Sequence, residues 1–150
     1  MHIAMVTDYY LPTLGGVQTL VKAHKEALEQ AGHRVTVFCP QHTGQHLPGP
    51  AVVALPTSGL FRPDGYPFTW PPEETPGFLA EQFATRGVDV VHVHSEMIAA
   101  LGGLLAARQS GIPSVQTMHG RVDVYTKNVL PLPELSTRFL ARIHHKRIPH

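Results

Sequence analysis

The pair Gly15-Gly16 stands between a strand-like segment and a helix-like one. Residues Ile3–Asp8 are typical of a buried strand, and a helical pattern runs from Gly16 to Gly32. A helix that opens on glycines offers unpaired backbone N–H groups and the positive end of its dipole to an anion. The missing Cβ atoms let that anion come close. The pattern predicts a site for a phosphate-bearing ligand, although glycines that only shape a turn would look the same.

Three histidines suggest a second chemistry. His92 and His94 alternate along a predicted strand and share a face, and His119 could add a third imidazole ligand for a metal ion. However, valines flank His92, and a buried, hydrogen-bonded neutral imidazole would explain it equally well. Only Glu96 adds a carboxylate at ligand spacing, so no metal site is predicted. A phosphoacceptor site is not expected either, because Asp8 is the only acid at the end of the first strand.

Strands and helices alternate along the chain. The predicted strands are Ile3–Asp8, Arg34–Cys39, Ala51–Leu55, Val88–His94 and Ile112–Met118, and the predicted helices are Gly16–Ala31, Pro76–Arg86, Ser95–Ser110 and Pro133–Lys146. Ser95 is expected to cap the third helix. The alternation predicts an α/β fold with a doubly wound parallel sheet in the order 3-2-1-4-5. Its ligand site should lie at the carboxyl ends of the strands, where Asp8–Gly16, His94–Glu96 and His119-Gly120 would converge.

The segment from Gln41 to Pro76 differs from the rest in being rich in proline and aromatic residues. Its aromatic side chains are Phe61, Tyr66, Phe68 and Trp70. Long loops in compact domains are usually functional or disordered, and aromatic residues are rare in disordered segments. We therefore interpret it as a binding loop.

Length and composition exclude several classes of protein. The chain has 150 residues and one cysteine, Cys39, so it fits one domain and cannot form an intramolecular disulfide bond. No apolar run approaches the ~20 residues of a membrane span, and the first residues do not resemble a signal peptide. The sequence therefore predicts a cytoplasmic protein.

Four blocks of the sequence together resemble one enzyme family. They are Asp8–Val17, Gly32–Val37, Val88–Ser95 and Gly111–Gly120. Their order and spacing are similar to those of the amino-terminal domain of family 4 retaining glycosyltransferases, which have the GT-B fold with Rossmann-like domains. Residues 125–133 look like the branch that contains diacylglycerol glucosyltransferases and phosphatidylinositol mannosyltransferases.

The resemblance implies a role for each matching position. Gly15 and Gly16 would bind the diphosphate of a nucleotide-sugar donor, and His119 would be the catalytic residue beside the transferred sugar. Asp8, Tyr9 and Tyr10 would face a lipid or saccharide acceptor. The sugar would be transferred with retention of configuration, and the resemblance implies no cofactor and no metal held by a carboxylate motif.

The same resemblance implies a second domain that binds most of the nucleotide. These 150 residues match only the amino-terminal, acceptor-side domain, and the carboxyl-terminal donor-binding domain is expected to be absent from them. The chain is then expected to be inactive alone. The alternative is a non-catalytic sugar- or lipid-binding module in which the glycines and His119 are structural.

The last thirty residues are basic. Residues 121–150 contain six Lys and Arg against two Asp and Glu, whereas residues 1–120 contain six against nine. The predicted last helix places its cations beside apolar residues, which is typical of a helix on an anionic membrane, although docking on the sheet would use the same apolar residues. The cations are Arg138, Arg142, Lys146 and Arg147. Peripheral contact with the membrane is a hypothesis, and no nucleic-acid partner is expected.

Overall fold

The computed structural model describes residues 1–41, 49–58, 67–69 and 73–120. The chain divides into two compact units, Met1–Thr117 and Met118–His150. The predicted helix Pro133–Lys146 lies outside the described residues, as do Phe61, Tyr66 and Trp70 of the predicted binding loop. No helix within the described ranges has the length and apolar character needed to cross a membrane.

The first unit is built on a parallel sheet of five strands. Its strands and helices are β1 (His2–Thr7), α1 (Gly16–Gln30), β2 (Arg34–Pro40), β3 (Val52–Leu55), β4 (Thr57–Ser58), β5 (Phe68–Thr69), α2 (Thr75–Arg86), β6 (Val90–His94), α3 (Ile98–Gln109) and β7 (Ser114–Thr117). The sheet order is β3-β2-β1-β6-β7, and all four pairings are parallel. Numbered over these five strands alone, this is the predicted order 3-2-1-4-5, so the doubly wound fold is confirmed.

Two hydrophobic clusters cover the two faces of the sheet. Cluster one contains Ala4 and Val6 of β1 together with side chains of α2 and α3, such as Phe83 and Ala106. Cluster two contains the alternate residues of β1 and β2 with Val21 of α1. Because neighbouring residues on a strand point to opposite faces, helices can pack on both sides. This layering leaves the carboxyl ends of the strands and the loops that follow them at one edge of the sheet.

Two of the predicted strands begin later than expected, because their first residues form the end of the preceding helix (the helix exit). The N–H of Val88 bonds to the carbonyl of Phe83 at 3.0 Å, and the N–H of Ile112 bonds to that of Ala107 at 2.9 Å. In both exits the preceding glycine has a left-handed φ, +62° at Gly87 and +66° at Gly111. These bonds complete Schellman motifs, so β6 starts at Val90 and β7 at Ser114.

The predicted helix cap at Ser95 is wrong. Helix α3 begins at Ile98, and its cap residue Met97 makes no side-chain capping hydrogen bond. The acceptor for the first amides of α3 is instead a carboxylate in the loop that follows β1. That carboxylate, Asp8, belongs to the candidate site.

Within the predicted binding loop, the described residues include a short antiparallel pair. Thr57 of β4 pairs with Thr69 of β5, and Ser58 pairs with Phe68. Thr69 is fully buried. Part of this segment therefore packs on the domain, and a role in binding stays a prediction.

Candidate active site

Helix α1 opens without a side-chain cap. Gly15 is extended, with φ −174° and ψ 174°, and the first turn contains no acidic residue. The first backbone bond of the helix runs from Thr19 N to Gly15 O at 3.0 Å. The N–H groups before Thr19 therefore have no acceptor within the helix, and no acidic residue of the first turn offsets the positive end of the dipole.

The two glycines at this helix start differ in their surroundings. Neither has a positive φ, so the turn itself does not require glycine at these positions. A Cβ atom built on Gly16 would meet nothing within 4 Å, whereas one on Gly15 would lie 2.5 Å from Oε1 of Gln18. Gly15 thus makes room for Gln18, and Gly16 leaves its backbone open to approach.

A chain of hydrogen bonds supports the loop before α1. Gln18, which is 4% exposed, donates from Nε2 to Oγ1 of Thr13 at 3.2 Å. The hydroxyl of Thr13 donates to the carbonyl of Tyr10 at 2.8 Å. The first turn of α1 is therefore tied to the loop that follows β1.

Asp8 caps α3 from across the sheet edge. Its Oδ1 accepts from the N–H of Ala99 at 2.8 Å, and its Oδ2 accepts from the N–H of Ala100 at 3.2 Å and from the hydroxyl of Ser95 at 2.5 Å. Burial raises the pKa of Asp8 above its ordinary value of 3.8, the hydrogen bonds from these three groups lower it, and the nearby Glu96 raises it. Both carboxylate oxygens are engaged in holding α3 against the end of β1. Acceptor binding by Asp8 stays a prediction beside this structural role.

Ser95 joins the ends of three strands. Its Oγ accepts from the N–H of Asp8 at 3.4 Å, and its carbonyl accepts from Nε2 of Gln116 in β7 at 3.0 Å. Its φ is +137°, a conformation that residues with a side chain rarely adopt. Such strain persists only where surrounding bonds hold it, and it is common at functional sites.

The two tyrosines after Asp8 have unequal access to solvent. The hydroxyl of Tyr9 donates to Sδ of Met97 at 3.1 Å, and Tyr9 is half-buried. Tyr10 is only 8% exposed and packs in cluster two. Burial raises the pKa of Tyr10 to about 12, with smaller contributions from Cys39 and two glutamates of α1, so its hydroxyl stays protonated at neutral pH.

A small pocket lies beside these tyrosines. It is lined by Asp8, Tyr9, Tyr10, Leu11, Thr13, Pro40 and Pro67, and its volume is about 10 Å³. That volume holds roughly one water molecule. A sugar nucleotide does not fit inside this pocket.

Three histidines gather on the α1 face of the sheet. His92 lies beside Met5 and His94 beside Thr7 in the β1–β6 register, and the third member is His24 of α1. From the sequence, His119 was the candidate for the third imidazole, whereas the structure brings His24 to this place. Helical spacing could have indicated His24, since the face of α1 that carries Val21 and His24 must lie on the sheet.

His119 follows β7 by two residues and is half-buried. It belongs to the second unit, whereas Gly15, Gly16 and the Asp8–Tyr10 loop belong to the first. The expectation that His119 meets the other predicted site residues therefore stays a prediction.

Comparison with known proteins places this geometry in one family. The model of Glycosyltransferase Family 4 matches residues 14–149. The alpha-monoglucosyldiacylglycerol synthase of Acholeplasma laidlawii is 33% identical over 148 residues, which cover 93% of this chain and 34% of that protein. The GDP-mannose-dependent alpha-mannosyltransferase of Mycolicibacterium smegmatis is 32% identical over 123 residues, covering 77% of this chain and 31% of that protein. The chain thus spans about a third of the length of these relatives.

Solved structures agree on the fold. A sucrose-phosphate synthase structure from Thermosynechococcus elongatus superposes with a TM-score of 0.54 at 18% identity, covering 85% of this chain and 68% of that one. At this identity the likeness supports the Rossmann-like fold alone. Together with the family match over most of its length, the sheet order and the open helix start lead to one conclusion: the chain belongs to the family 4 glycosyltransferases.

Proposed function

We propose that this chain is the acceptor-side part of a glycosyltransferase that moves a sugar from a nucleotide-sugar donor to a lipid or saccharide acceptor. The observation that carries the proposal is the uncapped start of α1 at Gly16 in a family 4 member. The names of two relatives add chemical detail. One is a synthase of a glucosylated diacylglycerol, and the other is a mannosyltransferase that depends on GDP-mannose.

Gly15 and Gly16 bind the donor diphosphate in this proposal. The amides of the first turn donate to phosphate oxygens, and the helix dipole adds roughly half a positive charge at that end. The open space at Gly16 supports this role because a phosphate can approach its N–H without meeting a side chain. The absence of acidic residues from the first turn removes a competitor for the same amides.

The other predicted site residues have separate proposed roles. His119 contacts the transferred sugar as the catalytic residue, and Tyr9 contacts the acceptor through a side chain that is partly exposed. Asp8 and Tyr10 also lie on the acceptor side in this proposal, although Asp8 holds α3 and Tyr10 packs in the core. They position the loop that the acceptor meets.

A donor-binding domain outside these 150 residues completes the site. The chain covers 34% of the first relative and 31% of the second, which leaves room for such a domain in proteins of that length. We expect no sugar transfer by the chain alone. Turnover should appear only when the remainder of the enzyme is joined to it or added.

The diphosphate role can be tested on the chain alone by amide chemical shifts. Titration with UDP and with GDP should shift the amides of Gly16, Val17 and Gln18, whereas uridine should not. The Gly16→Val variant has room for its Cβ, which would meet nothing within 4 Å, and it should lose these shifts while its circular dichroism spectrum stays that of the parent. Gly77→Ala is the matched control, because that helical glycine is equally open. Shifts that persist in Gly16→Val would refute a diphosphate site at α1.

The catalytic role of His119 needs the complete enzyme. Transfer of a radiolabelled sugar should fall by a factor of 10² or more in His119→Ala, on the scale typical of a lost group that acts in the transition state. His33→Ala, another half-buried histidine, is the control. Equal loss of activity in both variants would point to a structural effect.

The basic tail is proposed to contact an anionic membrane surface. Residues 121–150 have a net charge of +4 from their Lys, Arg, Asp and Glu, and each Lys or Arg near such a surface contributes about 1 kcal/mol. Sedimentation with vesicles should show binding that requires anionic lipid and weakens in Arg142→Glu and Lys146→Glu. Binding that ignores both lipid charge and these substitutions would exclude the tail as the contact.

A further inference from the structure

The histidine cluster of α1 and β6 has the composition and spacing of a metal site. His24, His92 and His94 each offer one ring nitrogen, and the three nitrogens lie within 4.8 Å of one another. The ring centroids are 6.0 Å apart for His24 and His92, 5.6 Å for His24 and His94, and 3.9 Å for His92 and His94. Three imidazoles, one from α1 and two from β6, therefore lie close together.

The distances are close to what a bound ion requires. With Zn–N bonds of about 2.0–2.1 Å, two nitrogens on a tetrahedral ion are about 3.3–3.4 Å apart. The ring nitrogens, which lie within 4.8 Å of one another, would therefore have to move closer by about 1.5 Å at most. His92 and His94 are alternate residues of β6, so the sheet already fixes their backbone positions.

The surroundings of the cluster suit a metal ligand set. Nε2 of His92 lies 2.8 Å from Oγ1 of Thr117 on the neighbouring strand. If the ring donates from Nε2, the hydroxyl of Thr117 accepts, and outer-shell partners of metal-bound imidazoles usually make such a bond. His94 is fully buried, whereas His24 and His92 are half-buried, so part of the cluster is in contact with solvent.

We infer that His24, His92 and His94 form a binding site for a zinc-type divalent transition metal ion. Imidazole suits Zn²⁺, Ni²⁺ and Cu²⁺, whereas Mg²⁺ and Ca²⁺ require oxygen ligands that this trio lacks. Three neutral imidazoles leave the fourth position of a tetrahedral ion for water or another ligand. The bound ion ties α1 to β6. His24 is eight residues after Gly16, so the ion fixes the helix whose first turn carries the proposed phosphate site, but the inference does not depend on that function.

The test uses the intact 150-residue chain with ZnCl₂ and CoCl₂ as probes. Calorimetry should give one Zn²⁺ per chain, and Co²⁺ should produce the visible absorption bands of a tetrahedral site. At a zinc concentration of 100 times Kd, the melting temperature should rise by roughly 5–10 °C. His24→Gln should weaken Zn²⁺ binding at least tenfold and abolish the Co²⁺ bands.

Two sets of control variants decide the outcome. His33→Gln should bind Zn²⁺ like the parent chain, and so should a variant with Gln at positions 144, 145 and 150, where histidines of the tail could also bind the ion. His24 lies on a helix and is half-buried, so its replacement by Gln should leave the circular dichroism spectrum unchanged. Unchanged affinity in His24→Gln, or loss of binding in the tail variant, would overturn the inference.

Discussion

Replacement of Asp8 by alanine should destabilise the chain more than any change of an exposed acid. The carboxylate accepts three hydrogen bonds, from Ala99, Ala100 and Ser95, and all of them would be lost. Ala99 and Ala100 are the first-turn amides of α3 with a side-chain acceptor. Loss of these hydrogen bonds removes the cap of α3, a helix that packs on β1 and β6.

The expected change in the free energy of unfolding combines two destabilising effects and one stabilising effect. Loss of an N-cap costs about 0.5–2 kcal/mol, and a buried donor left without an acceptor costs about 1–3 kcal/mol. Removal of a buried carboxylate relieves its desolvation, which is the cause that raises the pKa of Asp8. We expect a net loss of about 2–3 kcal/mol in the free energy of unfolding. For a chain of this size that lowers the melting temperature by roughly 5–10 °C.

The dependence on pH gives a second test of the same contact. Because the pKa of Asp8 is raised in the folded state, its contribution to stability is fully present below the unfolded value of 3.8 and is lost as pH rises through the folded pKa. The deficit of Asp8→Ala relative to the parent should therefore be larger at pH 5 than at pH 7. Asp8→Asn, which does not titrate, should remove the same pH-dependent part.

The assay is urea unfolding followed by circular dichroism at both pH values. Glu81→Ala is the matched control, since Glu81 is an exposed carboxylate on α2 and its loss should change the free energy of unfolding by less than about 0.5 kcal/mol. An Asp8→Ala variant as stable as Glu81→Ala would refute the capping argument. A deficit that is larger at pH 7 than at pH 5 would refute the assignment of the raised pKa.

Two further predictions concern helix packing and the single thiol. Gly103→Ala should lower the free energy of unfolding in urea by about 1–3 kcal/mol, because the added Cβ would lie 3.1 Å from Cβ and Cγ2 of Val6, a branched side chain on a central strand. Gly77→Ala is the control: its added Cβ would meet nothing within 4 Å, so it should stabilise the chain by up to ~1 kcal/mol. Equal effects of the two substitutions would contradict the packing argument. Cys39 is 1% exposed, and burial raises its pKa to about 12, so a thiol reagent should label it only under unfolding conditions. Rapid labelling of the native chain would show that β2 opens readily.

Much of the fold could be predicted from the sequence because its signals are local. The β-branched run at Val90–Val93 and the helical stripe containing Val21 each depend on a period within one element. The glycine at each helix exit is likewise a local signal, since only the left-handed conformation there requires it. The strand starts predicted at Val88 and Ile112 were wrong, because these residues follow the glycines and complete the ends of the preceding helices.

The candidate site could be predicted only in part. The open start of α1 at Gly16 follows from adjacent residues, so sequence reasoning found it. The Asp8 cap of α3 joins residues 91 and 92 positions apart, and it displaced the local cap predicted at Ser95. The pairing of His24 with β6 depends on how α1 is rotated over the sheet. Strand register and helix rotation are set by packing of the whole domain, so only the tertiary structure decides which distant polar groups meet.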